Sequence, residues 1–201
     1  MMENLKRFFI NGEWVDPISD QTMLVINPAT EEQIGTVALG NASDVDLAVE
    51  AASAAFDQFS QTTKMDRLDL LKSVMVITER RLEDLAQAMR MEMGAPITMA
   101  RSSQADAAIG HLQGFIDALE EHNERAKLKN GDIMVHEPVG VCGLITPWNW
   151  PINQITLKVL PALATGCTCI LKPSEHTPIS AMIYAEILNE AGYPKGVFNL
   201  I

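Results

Sequence analysis

The apolar pattern of the last sixty residues alternates short runs with longer amphipathic segments. Strands are predicted at residues 141–145, 168–171 and 197–201, and helices at residues 151–165 and 178–191. Pro151 and Pro178 suit first helical positions, with Thr177 as the cap before Pro178. Strands separated by single helices and short connections predict parallel pairing with right-handed crossovers. We therefore predict half of a doubly wound α/β sheet: three strands, with an open edge and an uncovered face.

The first forty residues contain shorter apolar runs and one strong turn signal. Asn11-Gly12 separates residues 8–10 from residues 13–15, which predicts a hairpin because both central positions of such a turn need a positive φ. Residues 23–26 and 34–37 predict two further strands.

Three amphipathic segments follow, and each predicts a helix. The first begins near Ser43, with Asp46 three residues on as its capping partner. The second runs over residues 65–93 until Gly94, and the third covers residues 99–125. The inward stripe of the first helix is expected to comprise Val45, Ala48, Val49, Ala52, Phe56 and Phe59.

A second hairpin signal, Asn130-Gly131, lies between residues 127–129 and 132–135. An isolated two-stranded ribbon is marginal in water, so this arm is expected to lie against something else. The pattern is equally consistent with an oligomer contact and with packing on its own domain.

Composition narrows the possible partners. The 201 residues carry a net charge of −11, which argues against nucleic acid because polyanions are bound by clustered Lys and Arg. The most apolar stretch, residues 152–171, contains Pro161, Gly166 and Lys158 and is not expected to span a membrane. The first seven residues show no signal-peptide pattern, and three cysteines without a CxxC pair are read as reduced thiols. A cytoplasmic protein is expected.

Two loops should meet at the carboxyl ends of the predicted parallel strands, where such sheets bind ligands. The second loop carries Lys172, Ser174 and Glu175, and an acidic side chain there can accept hydrogen bonds from both hydroxyls of a ribose. A charged surface loop is the alternative. No GxGxxG motif is present.

The first loop carries Asn149 between two tryptophans. A carboxamide NH2 is a neutral donor that can stabilise an oxyanion, although many turn asparagines bond only to local backbone.

Cys142, Cys167 and Cys169 lie in strands or at their start, where we expect buried, unactivated thiols. The four histidines have no metal-ligand spacing, so no metal site is predicted.

The order of these motifs resembles the NAD(P)-dependent aldehyde dehydrogenase superfamily over essentially the whole chain. The matching segments are residues 9–12, 26–30, 54–56, 92–94, 137–143, 145–151, 161–167 and 171–175. The resemblance implies a Rossmann-like coenzyme domain at residues 1–123 and 139–201, and a protruding β-hairpin oligomerisation arm at residues 124–138.

The resemblance also implies roles for individual residues. Members oxidise aldehydes to carboxylic acids through a cysteine thiohemiacetal and thioester, with NAD or NADP as hydride acceptor. Asn149 would donate to the oxyanion. Lys172 and Glu175, with Ser174 in the same loop, would hold the adenosine ribose, and Glu175 favours NAD. The residues that would line the cofactor through the first loop are Ile145, Thr146, Pro147, Trp148 and Asn149.

In the family, the catalytic domain with its cysteine nucleophile and glutamate base follows the segment that matches this chain. The chain is therefore expected to supply the oxyanion donor and part of the cofactor site, to be inactive alone, and to form a homodimer or homotetramer when full length. A non-catalytic nucleotide-binding or oligomerisation module is the alternative. Some relatives bind an alkali cation near positions matching Ile26 and Glu92.

Overall fold

The sheet is built from strands at both ends of the chain. A computed structural model describes residues 4–201, so the first three residues of the predicted domain lie outside the described part. The strands are β1 (Phe8–Ile10), β2 (Glu13–Val15), β3 (Thr22–Ile26), β4 (Gln33–Ala38), β5 (Arg125–Lys127), β6 (Ile133–Val135), β7 (Val141–Ile145), β8 (Thr168–Lys172) and β9 (Phe198–Leu200). The pairs β7–β8 and β8–β9 are parallel, which confirms the predicted α/β half-sheet.

The prediction of an open edge is wrong at β9, which is not an edge strand. The amino-terminal hairpin adds antiparallel to β9, with Phe9 opposite Leu200, and gives a five-stranded sheet of order β2-β1-β9-β8-β7. Asn11 and Gly12 have positive φ, as the hairpin signal required. The Asn199 side chain accepts a hydrogen bond from the Asn11 N–H at 3.0 Å, so a contact between residues far apart in sequence closes this edge.

Seven helices surround the sheet in the described part of the chain. They are α1 (Ala42–Phe59), α2 (Lys64–Arg80), α3 (Leu82–Met93), α4 (Ile97–Met99), α5 (Asp106–Glu121), α6 (Pro151–Ala164) and α7 (Pro178–Glu190), with a π-helical turn at Ala100–Ala105. Ile170 packs with Ala48 and Ala52 of α1, whereas Cys169 and Leu171 face the core that holds α6 and α7. Alternate residues of one strand point to opposite faces, so helices cover both faces. The predicted uncovered face is therefore wrong at β8, whereas on β7 Val141 is 36% exposed and Ile145 is 73% exposed.

The start of α1 differs from the prediction. Asn41, not Ser43, is the cap: its side chain accepts from the N–H groups of Ser43 and Asp44, and Asp44 accepts from Asn41. Asp44 also accepts from the Ile18 N–H at 2.7 Å, a tertiary contact that favours this register. Two stripe positions, Val45 and Val49, are each 39% exposed, so the stripe prediction is wrong there.

The second and third predicted helices have different bounds. Residues 65–93 form two helices that break at Arg81, whose guanidinium contacts Asp84 and Glu186, although the sequence has no Gly or Pro there. The third helix ends at Glu121, because Arg125 pairs with Val135 in the second hairpin.

The second hairpin exists, but its turn is one residue longer than predicted. Lys127 lies opposite Ile133, and the Leu128 N–H donates to the Asp132 carbonyl at 2.8 Å. Gly131 has φ +97, which is typical of a three-residue loop closed by a bulge.

In the described residues, none of the helices combines the length and apolar character needed to cross a bilayer.

Candidate functional site

The structure brings the two predicted loops together at one end of the sheet. Ile145 lies opposite Lys172 in the parallel register of β7 and β8, and both strands end there. The Thr146 N–H donates to the Lys172 carbonyl at 3.2 Å, so the first residues of the two loops are fixed to each other.

The first loop presents most of its predicted site residues to solvent. Ile145 is 73% exposed and Trp148 is 56% exposed, and Pro147 and Asn149 are also exposed. Thr146 is buried beneath them. The loop therefore forms a shelf with an apolar surface at the end of β7.

Asn149 stands just before α6 and its carboxamide is free. Among residues 4–201, its side chain makes no hydrogen bond, so it is not a turn asparagine that bonds to local backbone. The helix begins at Pro151, and the cap residue Trp150 provides no side-chain acceptor for the first N–H groups. The positive end of the helix dipole therefore lies beside a free amide donor, and both favour negative charge at this point.

The second loop separates its three predicted site residues. Lys172 Nζ donates to Glu175 Oε2 at 2.9 Å, and both side chains are partly exposed. Backbone N–H donation and the Lys172 ammonium hold the pKa of Glu175 below its usual value. Ser174 is buried, and its Oγ accepts from the His176 N–H at 3.3 Å. Ser174 thus shapes the turn, and its predicted contact with a cofactor stays a prediction.

Glu92 is a buried carboxyl for which the resemblance implied only a nearby alkali cation in some relatives. It is 3% exposed, and it accepts hydrogen bonds from the Ile179 N–H at 2.6 Å, the Ser180 N–H at 3.0 Å and the Ser180 hydroxyl. Burial raises the pKa of Glu92 to about 7, although the hydrogen bonds from Ser180 and Ile179 act in the opposite direction. The signal was in the sequence: Glu92 follows Leu85 and Met89 on the apolar stripe of α3.

Two of the three thiols lie in strands, Cys142 in β7 and Cys169 in β8, and Cys167 immediately precedes β8. Cys142 lies opposite Cys169 in the β7–β8 register. Burial raises the pKa of Cys169 far above its ordinary value, and burial with the neighbouring Cys167 raises that of Cys142. These environments disfavour the thiolate that a nucleophile requires. No cluster of three or more His, Cys, Asp or Glu side chains suited to a metal ion occurs within residues 4–201.

Two cavities adjoin the loops. One of about 370 Å³ lies between the Lys172–Glu175 turn, the start of α1 and the end of β9. Another, of about 580 Å³, is lined by residues of β3 together with Glu92, Trp148 and His176. One cavity is therefore bordered by a cation and a carboxylate, and the other by Trp148 from the loop that carries the free Asn149 amide.

Comparison with known proteins agrees with this arrangement. The sequence model that describes the aldehyde dehydrogenase family matches residues 14–201 of this chain. A 3-succinoylsemialdehyde-pyridine dehydrogenase of a Pseudomonas species is 48% identical over 201 residues, which are 100% of this chain and 42% of that protein. The chain thus spans about 42% of the length of the curated relatives it matches.

Solved structures give the same result. The crystal structure of an aldehyde dehydrogenase from Bartonella henselae superposes with a TM-score of 0.97 at 46% identity, over 100% of this chain and 43% of that one. A variant of aldehyde dehydrogenase C from Pseudomonas syringae, crystallised with NAD+ and octanal, gives a TM-score of 0.96 at 45% identity, over 98% of this chain and 41% of that one. The chain belongs to the aldehyde dehydrogenase family.

Proposed function

We propose that the full-length protein oxidises an aldehyde to a carboxylic acid with NAD as hydride acceptor, and that this chain supplies the oxyanion donor and part of the cofactor site. The observation that carries the proposal is the free Asn149 amide, exposed in the loop after β7, at the same end of the sheet as the Lys172–Glu175 pair that follows β8. The octanal and NAD+ complex of the Pseudomonas syringae relative supports the same chemistry.

Asn149 would stabilise the oxygen of an aldehyde under attack by a thiolate. When the thiol adds to the carbonyl, the oxygen gains negative charge, and a neutral NH2 donor can bond to it without changing its own protonation. The uncapped start of α6 adds a favourable dipole at the same place. In the family, the attacking cysteine and the glutamate base come from the portion of the enzyme that follows the matched segment.

Lys172 and Glu175 fit the ribose of the adenosine half of a dinucleotide. Their head groups lie 2.9 Å apart and are accessible, so an ammonium donor and a carboxylate acceptor face the same space, as a vicinal diol requires. The cofactor supplies hydride acceptance, and the exposed Ile145 and Trp148 offer it an apolar surface. The Glu175 carboxylate repels a 2′-phosphate, so NAD is preferred over NADP.

The β5–β6 arm is proposed to contact a second copy of the chain in a homodimer or homotetramer. Within residues 4–201, its two strands pair only with each other, and Ile133, Met134 and Val135 of β6 are all exposed. Exposed apolar strands of this kind are commonly covered by a partner. A cytoplasmic location is part of the proposal and is supported by three free thiols.

The experiment is the initial rate of NADH formation by the full-length protein with a series of aldehydes. Asn149→Ala should lower kcat by roughly 10²- to 10³-fold, as loss of a single oxyanion donor does elsewhere. Asn189→Ala, at an exposed asparagine in the last turn of α7, is the matched control and should leave kcat unchanged. A wild-type kcat in Asn149→Ala would refute the role of this amide.

A further inference from the structure

The amino end of α7 is held by a residue from another helix. Thr177 is its cap residue but makes no side-chain capping bond, and Pro178 has no N–H to satisfy. The first free donors are the N–H groups of Ile179 and Ser180, and both are accepted by the carboxyl of Glu92 from α3. Glu92 therefore performs from a distance the capping that Thr177 does not provide.

The segment between β8 and α7 is the loop that carries the proposed ribose contacts. At one end, Lys172 is the last residue of a central strand, and at the other, the chain enters α7 under the Glu92 carboxyl. Inside the loop, the Thr177 N–H donates to the Ser174 carbonyl at 3.1 Å. The loop is short and internally bonded, so the position of the α7 terminus constrains where the Glu175 head group lies relative to Lys172, which β8 holds.

We propose that Glu92 is a positioning residue for the Lys172–Glu175 pair, acting through the amino end of α7, and that it thereby sets the affinity for the adenosine half of the cofactor. This inference rests on the cofactor site proposed above. Glu92 itself lies in the wall of the cavity that also contains His176 and Trp148, whereas Lys172 and Glu175 line the other cavity. Its effect is therefore indirect.

The test is the Kd of the full-length protein for ADP-ribose, which carries the adenosine ribose but no nicotinamide, together with the KM for NAD+ and kcat. The measurement is made at about pH 8, where Glu92 is mostly ionised. Glu92→Ala should raise the Kd and KM by about fivefold, the equivalent of one lost helix cap, and leave kcat within about twofold. Glu92→Gln keeps one acceptor oxygen and should fall between wild type and Glu92→Ala.

A double-mutant cycle separates positioning from a general loss of stability. In a protein that already carries Lys172→Ala and Glu175→Ala, Glu92→Gln should no longer change the Kd, because the groups that it positions are gone. Ile116→Val, in the buried face of α5, is the control for a less stable fold and should leave the Kd unchanged. If Glu92→Ala does not fold, Glu92→Gln and Ser180→Ala carry the test, the latter with a smaller rise in Kd.

The outcomes are distinct. An unchanged Kd in folded Glu92 variants, or an equal loss in the background without Lys172 and Glu175, would overturn the inference while the cofactor site stands. Failure of the wild-type protein to bind ADP-ribose or NADH would overturn the proposed cofactor site itself, and the inference with it.

Discussion

Replacing Glu92 by glutamine should remove a pH dependence from the stability of the fold. The carboxyl is buried, with a pKa of about 7 in the folded protein against 4.5 for the free side chain. The folded state therefore binds its proton more tightly than the unfolded state. A raised folded pKa gives stability that is fully present below about pH 4.5 and is lost as the pH rises through about 7.

The difference between the two pKa values corresponds to about 3 kcal/mol at its limit, because one pKa unit is about 1.4 kcal/mol. Between about pH 5.5 and 8, the same values give a loss of about 2 kcal/mol from this group. Glutamine has nearly the same shape and does not titrate in this range, so the variant should lack this loss.

The assay is urea unfolding of wild type and Glu92→Gln at several pH values in that range, followed by circular dichroism. Groups common to both proteins cancel in the difference between the two free energies of unfolding. We expect this difference to change by about 2 kcal/mol in favour of the variant as the pH rises. A difference independent of pH would show that Glu92 does not titrate in this way, and one of opposite sign would show that the helix terminus, not burial, dominates.

Four further substitutions, one of them a matched control, test the packing and the cofactor loop. Gly196→Ala should lower the free energy of unfolding in urea by about 3 kcal/mol, because the φ of Gly196 is +82 and a Cβ would lie 2.5 Å from the Ala51 carbonyl oxygen. Gly192→Ala, at φ +91 with open space around the added Cβ, should cost about 1 kcal/mol. Equal costs for the two variants would contradict the clash at Gly196. Asp44→Ala should cost about 2 kcal/mol because it leaves backbone donors from two segments without an acceptor, and a cost below about 0.5 kcal/mol would refute this. Glu175→Gln should raise kcat/KM for NADP+ relative to NAD+ by about tenfold, and an unchanged ratio would remove Glu175 from cofactor choice.

Local signals predicted the parallel half of the sheet and both hairpins. Asn11-Gly12 needs only its own backbone to adopt positive φ, and strand–helix–strand order dictates parallel crossovers. The docking of the first hairpin on β9 could not be predicted in this way, because it depends on the contact between Asn11 and Asn199 across most of the chain. The same limit applies at the start of α1, where Asn41 and Ser43 both precede an aspartate by three residues and the tertiary contact of Asp44 with Ile18 distinguishes them.

The candidate site was predictable where it depends on strand ends and less so inside the loops. The topology alone places Asn149 and Lys172 at one edge of the sheet, as found. The loop conformation then turns Ser174 inward while Glu175 stays accessible, and spacing along the chain carries no information on this choice. The role of Glu92 required knowing which helix end lies opposite its stripe, which only the packing of α3 against α7 reveals.

The central claim is that the two loops at the carboxyl ends of β7 and β8 form one side of a dinucleotide and aldehyde site. A crystal structure of the full-length protein with NAD+ tests it most directly. We expect the adenosine ribose within hydrogen-bonding distance of Lys172 and Glu175, and the nicotinamide half extending along Ile145 and Trp148 toward Asn149. A dinucleotide bound away from both loops, with these side chains unchanged and in contact with solvent, would contradict the account.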